Sequence, residues 1–216
     1  MPTQGEIRAA EMVRALDIKR HNAITALLTG LGLASLVFLA YQESSGLLLP
    51  LFVLGGVLAG LIYANAFEYA LHRFLLHWGD GFLVQRHALH HDTAGAPEEA
   101  RYVNFATSPW VVVLVFALNA PPVFAVGRWI DGGLAAGAFL GFTAYFVLYE
   151  EIHWRIHFGG WLPRWMQFAR RHHHLHHGGF PGRYNVFLPI FDWIFERGEW
   201  KRGSTVLGGK GEQRHA

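Results

Sequence analysis

The sequence has no cysteine and little charge: 16% of its 216 residues are Asp, Glu, Lys or Arg, whereas 52% are hydrophobic. Without cysteine the chain cannot form disulfides, thiolate metal sites or cysteine-ligated iron–sulfur clusters, so histidine and carboxylate are the metal ligands left to it. The formal net charge of +2 is small, and composition therefore gives no support to nucleic-acid binding. No GxGxxG segment and no flavin, nicotinamide or haem motif is visible. The chain is instead rich in long uncharged runs and in histidine.

Four uncharged runs are long enough to cross a membrane as helices. They cover residues 22–41, 44–67, 102–127 and 132–149 and contain 20, 24, 26 and 18 residues. A helix rising about 1.5 Å per residue needs about 20 residues to cross about 30 Å of hydrocarbon. The sequence thus predicts an all-α integral membrane protein with four transmembrane helices. They pair as two hairpins, 22–67 and 102–149, with tight turns at 42–43 and 128–131.

The lysines and arginines indicate how these spans are oriented. Seventeen of the 18 lie in segments 1–21, 68–101 and 150–216, and the exception, Arg128, lies on the opposite side. By the positive-inside rule, both termini are cytoplasmic, in a bacterial inner membrane or the endoplasmic reticulum. We predict one membrane-embedded domain, 1–216, that begins with a helix lying on the membrane surface at 1–21. The polar, glycine-rich residues 203–216 predict a disordered tail.

Histidine is concentrated in two short stretches: 12 of the 14 histidines lie in residues 72–91 and 153–177. Neutral imidazole is a good ligand for iron, copper, nickel or zinc. At helix positions i, i+3 and i+4 the rings share one face, and this HxxHH spacing occurs twice. A purification tag would lie at a terminus, so the spacing favours metal binding. The candidate ligands are His72, His77, His87, His90, His91, His153, His157, His173, His176 and His177; the spacing leaves His172 and His174 open.

These histidines predict two metal ions in a helical cytosolic cap made of segments 68–101 and 150–202. His72 and His77 are five residues apart, which is about 140° around a helix axis. They therefore cannot easily bind one small ion, which suggests two metals. Ten neutral nitrogens shared by two metals give about five each and leave positions open for oxygen. The catalytic residues would be the ligands of this dimetal centre.

The second and fourth spans lack a helix breaker until residues 78 and 159, so we expect their helices to extend past the membrane and to hold four of the histidines. Two further helices, carrying residues 87–91 and 173–177, would close the site from above. Carboxylates near the ligands could accept the second imidazole N–H and orient the rings. The candidates for this role are Glu68, Glu150 and Asp92, although Asp92 could equally offset neighbouring arginines.

The histidine segments resemble the fatty acid hydroxylase/sterol desaturase superfamily. The resemblance is carried by EYALHRFLLH (68–77), HALHH (87–91), YEEIHWRIHFGG (149–160), HHLHH (173–177) and YNVFLPIFDWIFE (184–196). Among its members, the EYxLHRxxxH and HFG segments are most similar to fatty acid 2-hydroxylases. The resemblance implies an integral-membrane enzyme with a non-haem di-iron site. It also implies that Asp192, in the family's WD-type segment, supports the ligands.

The resemblance implies an oxidoreductase that hydroxylates a membrane lipid with O2 as co-substrate. The substrate would be a fatty acyl chain, including one linked to a sphingolipid, that enters from the bilayer. A desaturase and a sterol or carotenoid oxidase of the same superfamily remain open. The cofactors would be two iron ions, for which zinc could substitute. Electrons would come from an external cytochrome b5-like or ferredoxin-like donor with its reductase. Such a donor could dock on Arg164, Arg170, Arg171, Lys201 and Arg202, which could equally face anionic lipid headgroups.

A metal-ion transporter is the main alternative from another class, because histidine-rich cytosolic loops also occur there. Transporters need polar or ionisable ligands at membrane depth. The four spans offer only neutral groups such as Asn65, Asn119 and Thr143. A structural membrane protein with a zinc-stapled cap is a further alternative, but it would not explain metal beside the lipid. The sequence therefore favours the oxygenase.

Overall fold

The computed structural model describes residues 3–41, 46–196 and 198. These residues form helices and no strand, which confirms the predicted all-α fold. The helices are α1 (Gln4–Ala40), α2 (Leu49–Ala70), α3 (Phe82–Asp92), α4 (Ala100–Val103), α5 (Pro109–Trp129), α6 (Gly132–Phe158), α7 (Gln167–His177) and α8 (Ile190–Phe195). A π-helical segment (Leu71–Leu76) continues α2, and short 3-10 helices occupy Gly46–Leu48 and Arg164–Met166.

Four helical stretches are long and apolar enough to cross a membrane, as predicted. They are Gln4–Ala40, Gly46–Leu76, Pro109–Trp129 and Gly132–Phe158. The chain divides into two compact units: the first comprises 1–64 and 95–151, and the second comprises 65–94 and 152–216. Helices α2 and α6 contribute residues to both.

Helix α1 is one continuous helix of 37 residues, about 55 Å long. It begins at a capping box, in which the Thr3 N–H donates to Glu6 Oε2 (2.7 Å) and the Glu6 N–H donates to Thr3 Oγ1 (3.3 Å). The described part of residues 1–21 is therefore not a separate short helix, and its location on the membrane surface stays a prediction. No glycine or proline lies between residues 6 and 29, so nothing interrupts the helix where the charged segment meets the apolar one.

The third span begins later than its uncharged run. The run starts at residue 102, but α5 starts at Pro109. Proline suits the first helical position because it has no backbone N–H that would be left without a partner there. Of the predicted turn at 128–131, residues 128 and 129 belong to α5. Residues 130 and 131 lie between α5 and α6, where Asp131 Oδ1 accepts the N–H of Leu134 (2.9 Å) and caps α6. The predicted turn at 42–43 and the predicted tail at 203–216 lie outside the described residues.

In the first unit, α2 and α6 approach through two GxxxG segments. A Cβ atom added at Gly56 would lie 2.1 Å from the carbonyl oxygen of Leu134, and one at Gly60 would lie 2.2 Å from that of Ala138. On α6, a Cβ at Gly137 or Gly141 would meet the backbone of α2 equally closely. Small residues at this spacing let membrane helices pack backbone to backbone. The four glycines therefore fix the distance between α2 and α6.

Buried polar side chains tie α1 to the chain that precedes α5. Asn22, which has no exposed surface, donates from Nδ2 to the carbonyl oxygen of Ala106 (2.7 Å). Asn104 donates from Nδ2 to the carbonyl oxygen of Ala15 (2.8 Å). Lys19 Nζ lies 2.5 Å from Glu151 Oε2 and links α1 to α6. The first of these contacts satisfies a carbonyl oxygen outside any helix, and the three together fasten α1 within the first unit.

Candidate metal centre

All ten candidate ligands lie in the second unit, in two groups of five. Cluster A comprises His72, His77, His87, His91 and His176. Cluster B comprises His90, His153, His157, His173 and His177. Within each cluster, one nitrogen from every ring lies within 4.8 Å of the others. The arrangement matches the expectation of about five nitrogens for each of two metals.

Helices α3 and α7 each supply ligands to both clusters. The i and i+4 positions of α3, His87 and His91, belong to cluster A, and the i+3 position, His90, belongs to cluster B. Helix α7 reverses this division: His173 and His177 belong to cluster B and His176 to cluster A. On a helix, the side chains of residues i and i+4 lie nearly above one another. The side chain of residue i+3 is rotated further around the axis, in the opposite direction. Each HxxHH segment therefore bridges the two clusters.

The remaining ligands come from α6 and from the end of α2. His153 and His157, four residues apart on α6, both belong to cluster B. His72 and His77 both belong to cluster A, so the prediction that they cannot share one ion is wrong. It assumed a regular α-helix, but Leu71–Leu76 is π-helical. The i→i+5 bonding of a π-helix widens the turn and brings residues five apart towards one face.

The spacing of the ring nitrogens fits a metal ion with more than four ligands. Two nitrogens that each lie about 2.1 Å from one ion are about 3.0 Å apart at a right angle and about 3.4 Å apart at the tetrahedral angle. In cluster A, the distances between Nε2 atoms are 3.0 Å for His72–His87, His77–His87 and His87–His91, and 3.2 Å for His77–His176. In cluster B they are 3.0 Å for His157–His173 and His173–His177, and 3.1 Å for His153–His173 and His90–His177. The residues present therefore fit one ion in each cluster.

The environment keeps the candidate ligands on α3 and α7 neutral, and neutral imidazole is the form that binds metal. Burial, followed by the charge of neighbouring imidazoles, holds the pKa values of His90, His173 and His176 well below the ordinary value for histidine. The same causes lower the pKa of His177 to about 2. For His91, burial and His77 outweigh the opposing charge of Asp92 and lower the pKa to about 4. The rings therefore do not need to lose protons near neutral pH before they bind a metal.

The two clusters are direct neighbours. The rings of His91 in cluster A and His177 in cluster B stack with centroids 4.3 Å apart and an angle of 13° between their planes. The rings of His173 and His176 lie 5.8 Å apart and also join the clusters. Two ions held here would form one dinuclear centre rather than two remote sites.

The other histidines of the five-histidine run lie outside both clusters. His172 Nε2 lies 2.9 Å from Asp192 Oδ2, so this nitrogen is engaged by the carboxylate. His174 is exposed, and its ring centroid is 6.4 Å from that of His157. Helix geometry explains the division, because only the face with His173, His176 and His177 points towards α3 and α6.

Of the four carboxylates proposed to orient the rings, two contact the backbone of residues 184–186 and two lie elsewhere. Asp192 is fully buried and accepts the backbone N–H groups of Tyr184 and Asn185, both at 2.9 Å. Glu68 accepts the N–H of Val186 at 2.6 Å. Asp192 and Glu68 thus both hold the backbone of residues 184–186. Asp92 is exposed at the end of α3, and Glu150 lies in the first unit, where it accepts the N–H of Ala106 at 3.4 Å.

Sequence analysis missed two features of the second unit. The first is the carbonyl oxygen of Tyr184, which contacts His72 Nδ1; a backbone atom has no sequence signature. The second is a buried group in which Tyr69 donates to Glu196 Oε1 (2.6 Å) and Arg73 forms an ion pair with Glu196. The Arg73 guanidinium lies over the ring of Phe74, 5.2 Å from its centroid. This group fastens the end of α8 to the π-helical segment.

One comparison with known proteins identifies a family for this chain. The model of a family described as fatty acid hydroxylase matches residues 57–197, a range that includes all ten cluster histidines. No curated protein and no solved structure matches the chain. The match covers well over half of the 216 residues, and the chain belongs to the fatty acid hydroxylase family, within the fatty acid hydroxylase/sterol desaturase superfamily.

Proposed function

We propose that the chain is an O2-dependent oxygenase that hydroxylates an acyl chain of a membrane lipid, with clusters A and B holding two irons. The observation that carries the proposal is the pair of adjacent clusters, each with five imidazoles whose ligand nitrogens lie within 4.8 Å of one another and include pairs 3.0–3.2 Å apart. Family membership and the four apolar helices support a lipid substrate. When bound, two irons would pass two electrons from an external donor to dioxygen, so that one oxygen atom enters an unactivated C–H bond and the other leaves as water.

The ligand set favours iron over zinc. Structural zinc sites are almost always four-coordinate and tetrahedral. Five nitrogens with right-angle spacing suit an ion that accepts five or six ligands, and they leave one position for a further ligand. All ten candidate ligands are histidines, so among the described residues neither cluster contains a carboxylate that would offset the positive charge of an ion.

The polar groups of the spans do not support the transporter alternative. Asn119 accepts from Tyr63 Oη (2.6 Å) and donates to the carbonyl oxygen of Val115 (2.8 Å). Thr143 donates to the carbonyl oxygen of Phe139 (2.7 Å). These groups satisfy hydrogen bonds within the protein, whereas an ion path would need them as ligands.

The proposed enzyme depends on an external electron donor of the cytochrome b5-like or ferredoxin-like kind, with its reductase. Arg164 and Arg171 are exposed in the second unit and offer positive charge to an acidic partner. We further propose that both termini and the metal centre are cytoplasmic. The bias of lysine and arginine towards 1–21, 68–101 and 150–216 supports this orientation.

Comparative lipid mass spectrometry tests the proposal. Cells grown in the presence of oxygen would express the wild-type chain, the His176→Ala variant or the matched control His174→Ala. We expect a lipid one oxygen atom heavier with the wild type and with His174→Ala, and its loss with His176→Ala. A product lighter by two hydrogen atoms would show a desaturase instead. If no lipid differs while metal uptake does, the oxygenase proposal is wrong.

A further inference from the structure

A backbone carbonyl holds the cluster A ligand His72. Its Nδ1 atom forms a short hydrogen bond with the carbonyl oxygen of Tyr184. A carbonyl only accepts, so Nδ1 carries the proton and Nε2 keeps the lone pair that a metal needs. By contrast, the buried Nδ1 atoms of three cluster B ligands, His90, His173 and His177, have no hydrogen-bond partner among the described residues. This contact therefore distinguishes His72 from those three ligands.

Two buried carboxylates fix the segment that provides this carbonyl. Asp192, with 0% exposure, accepts the N–H of Tyr184 through Oδ1 and the N–H of Asn185 through Oδ2, both at 2.9 Å. Glu68, with 8% exposure, accepts the N–H of Val186 through Oε1 at 2.6 Å. Three consecutive backbone amides are thus held by two carboxylates. Hydrogen bonds to a charged acceptor are about twice as strong as neutral ones.

Two asparagines attach the same segment to α2. Asn185 Nδ2 donates to Glu68 Oε2 (2.9 Å) and to the carbonyl oxygen of Asn65 (3.0 Å). Asn65 Nδ2 in turn donates to the carbonyl oxygen of Leu188 (2.7 Å). Glu68 lies one helical turn before His72. The helical stretch that carries the imidazole therefore also carries the carboxylate that places its hydrogen-bond acceptor.

We propose that Asp192 and Glu68 are positioning residues for cluster A, which act by holding the Tyr184 carbonyl where it orients His72 towards the metal. The inference rests on the proposed dimetal centre. For Glu68 it replaces the expected direct contact with a ligand imidazole by an indirect one, through the backbone, and for Asp192 it specifies how the residue supports the ligands. Loss of partners that orient a ligand typically weakens metal binding about 10–100-fold. The weakening should be confined to cluster A, because Tyr184 O contacts a ligand of that cluster.

Metal titration of the full-length, metal-free protein in detergent tests this inference, with cobalt(II) as a spectroscopic probe. The variants are Asp192→Asn and Glu68→Gln, which keep the side-chain shape but turn an N–H donor towards an N–H group that a carboxylate oxygen accepts in the wild type. We expect two tight sites in the wild type, and one of the two weakened about 10–100-fold in either variant. Glu98→Gln is the matched control, because it makes the same change in an exposed carboxylate of the first unit and should keep both sites.

Combined variants identify the weakened site. His77→Ala removes a ligand of cluster A, and His157→Ala removes one of cluster B. Adding Asp192→Asn to His77→Ala should change the remaining site little, whereas adding it to His157→Ala should leave no tight site. Such non-additivity shows that Asp192 and His77 serve the same metal.

Several outcomes would overturn the inference. Two unchanged sites in both variants, or equal weakening of both sites, would show that the carboxylates do not act on cluster A. If both variants aggregate, Asp192 and Glu68 stabilise the fold as a whole and are not positioning residues of cluster A. If the wild type itself binds fewer than two cobalt ions, the dimetal proposal fails, and that failure is visible before any variant is measured.

Discussion

Each ligand histidine is assigned to a cluster by its position on a helix and by the helix that faces it. His177 lies four residues after His173 and joins it in cluster B, while its ring also stacks on His91 of cluster A. The spacing of the histidines predicted which side chains come together. It did not predict how they divide, because the division depends on how α3 and α7 pack against α6 and the π-helical segment.

At the residue scale, His177→Ala should bind one metal ion fewer than the wild type and lose lipid oxidation. The reason is that five imidazoles define each cluster, and a cavity replaces one of them. His174→Ala should match the wild type in both respects, since His174 is exposed and outside the clusters. Elemental analysis of purified protein and lipid mass spectrometry give the two measurements. Equal metal content in the two variants would contradict the cluster assignment.

At the scale of helices, the two clusters differ in the helix type and the burial of the histidines that form them. Cluster B takes two ligands from α6, which runs unbroken from Gly132 to Phe158, and three of its five histidines are buried. Cluster A takes His77 from just beyond the end of a π-helical segment, and this histidine is exposed. No sequence pattern marks the π-helical segment, which explains why the sharing of one cluster by His72 and His77 was not predicted.

This difference predicts two phases when a chelator removes metal from the intact protein. One ion per chain, that of cluster A, should leave first, because solvent reaches its exposed ligand. His77→Ala should abolish the fast phase and keep the slow one. Release can be followed by the absorbance of the metal–chelator complex. A single phase accounting for both ions would contradict the difference between the clusters.

The contact between α2 and α6 predicts opposite behaviour of two glycine-to-alanine substitutions. At Gly60, a Cβ would lie 2.2 Å from the carbonyl oxygen of Ala138, and such overpacking costs about 1–3 kcal/mol. At Gly32 nothing lies within 4 Å, so alanine should leave stability unchanged or raise it by less than about 1 kcal/mol. Thermal unfolding in detergent measures both. A Gly60→Ala variant as stable as Gly32→Ala would contradict the close approach.

At the scale of the whole molecule, the sequence predicted the apolar helices and the histidine sites because each follows a repeating pattern over many residues. It did not predict that α1 continues through residue 21, since charge density changes there but helix propensity does not. Nor did the sequence identify the contact between the Tyr184 carbonyl and His72, or that between Glu68 and Val186. In each contact the two residues are close in space but more than 100 residues apart in the chain.

The proposed orientation predicts that the loop at residues 42–45 faces away from the cytoplasm while the C-terminus lies within it. The charge bias that supports it comes from 17 of 18 lysines and arginines. A compartment-sensitive reporter fused at either position measures this. A cytoplasmic signal from the 42–45 loop would reverse the orientation, although it would leave the metal centre unaffected.

We propose that two irons, one in each cluster, carry out the oxidation of a lipid. Elemental analysis of catalytically active, purified protein tests it most directly, with iron and zinc counted against the protein chain. We expect two iron ions per chain, and we expect activity to be lost when either ion is removed. Active protein with one metal ion, with none, or with zinc alone would contradict it.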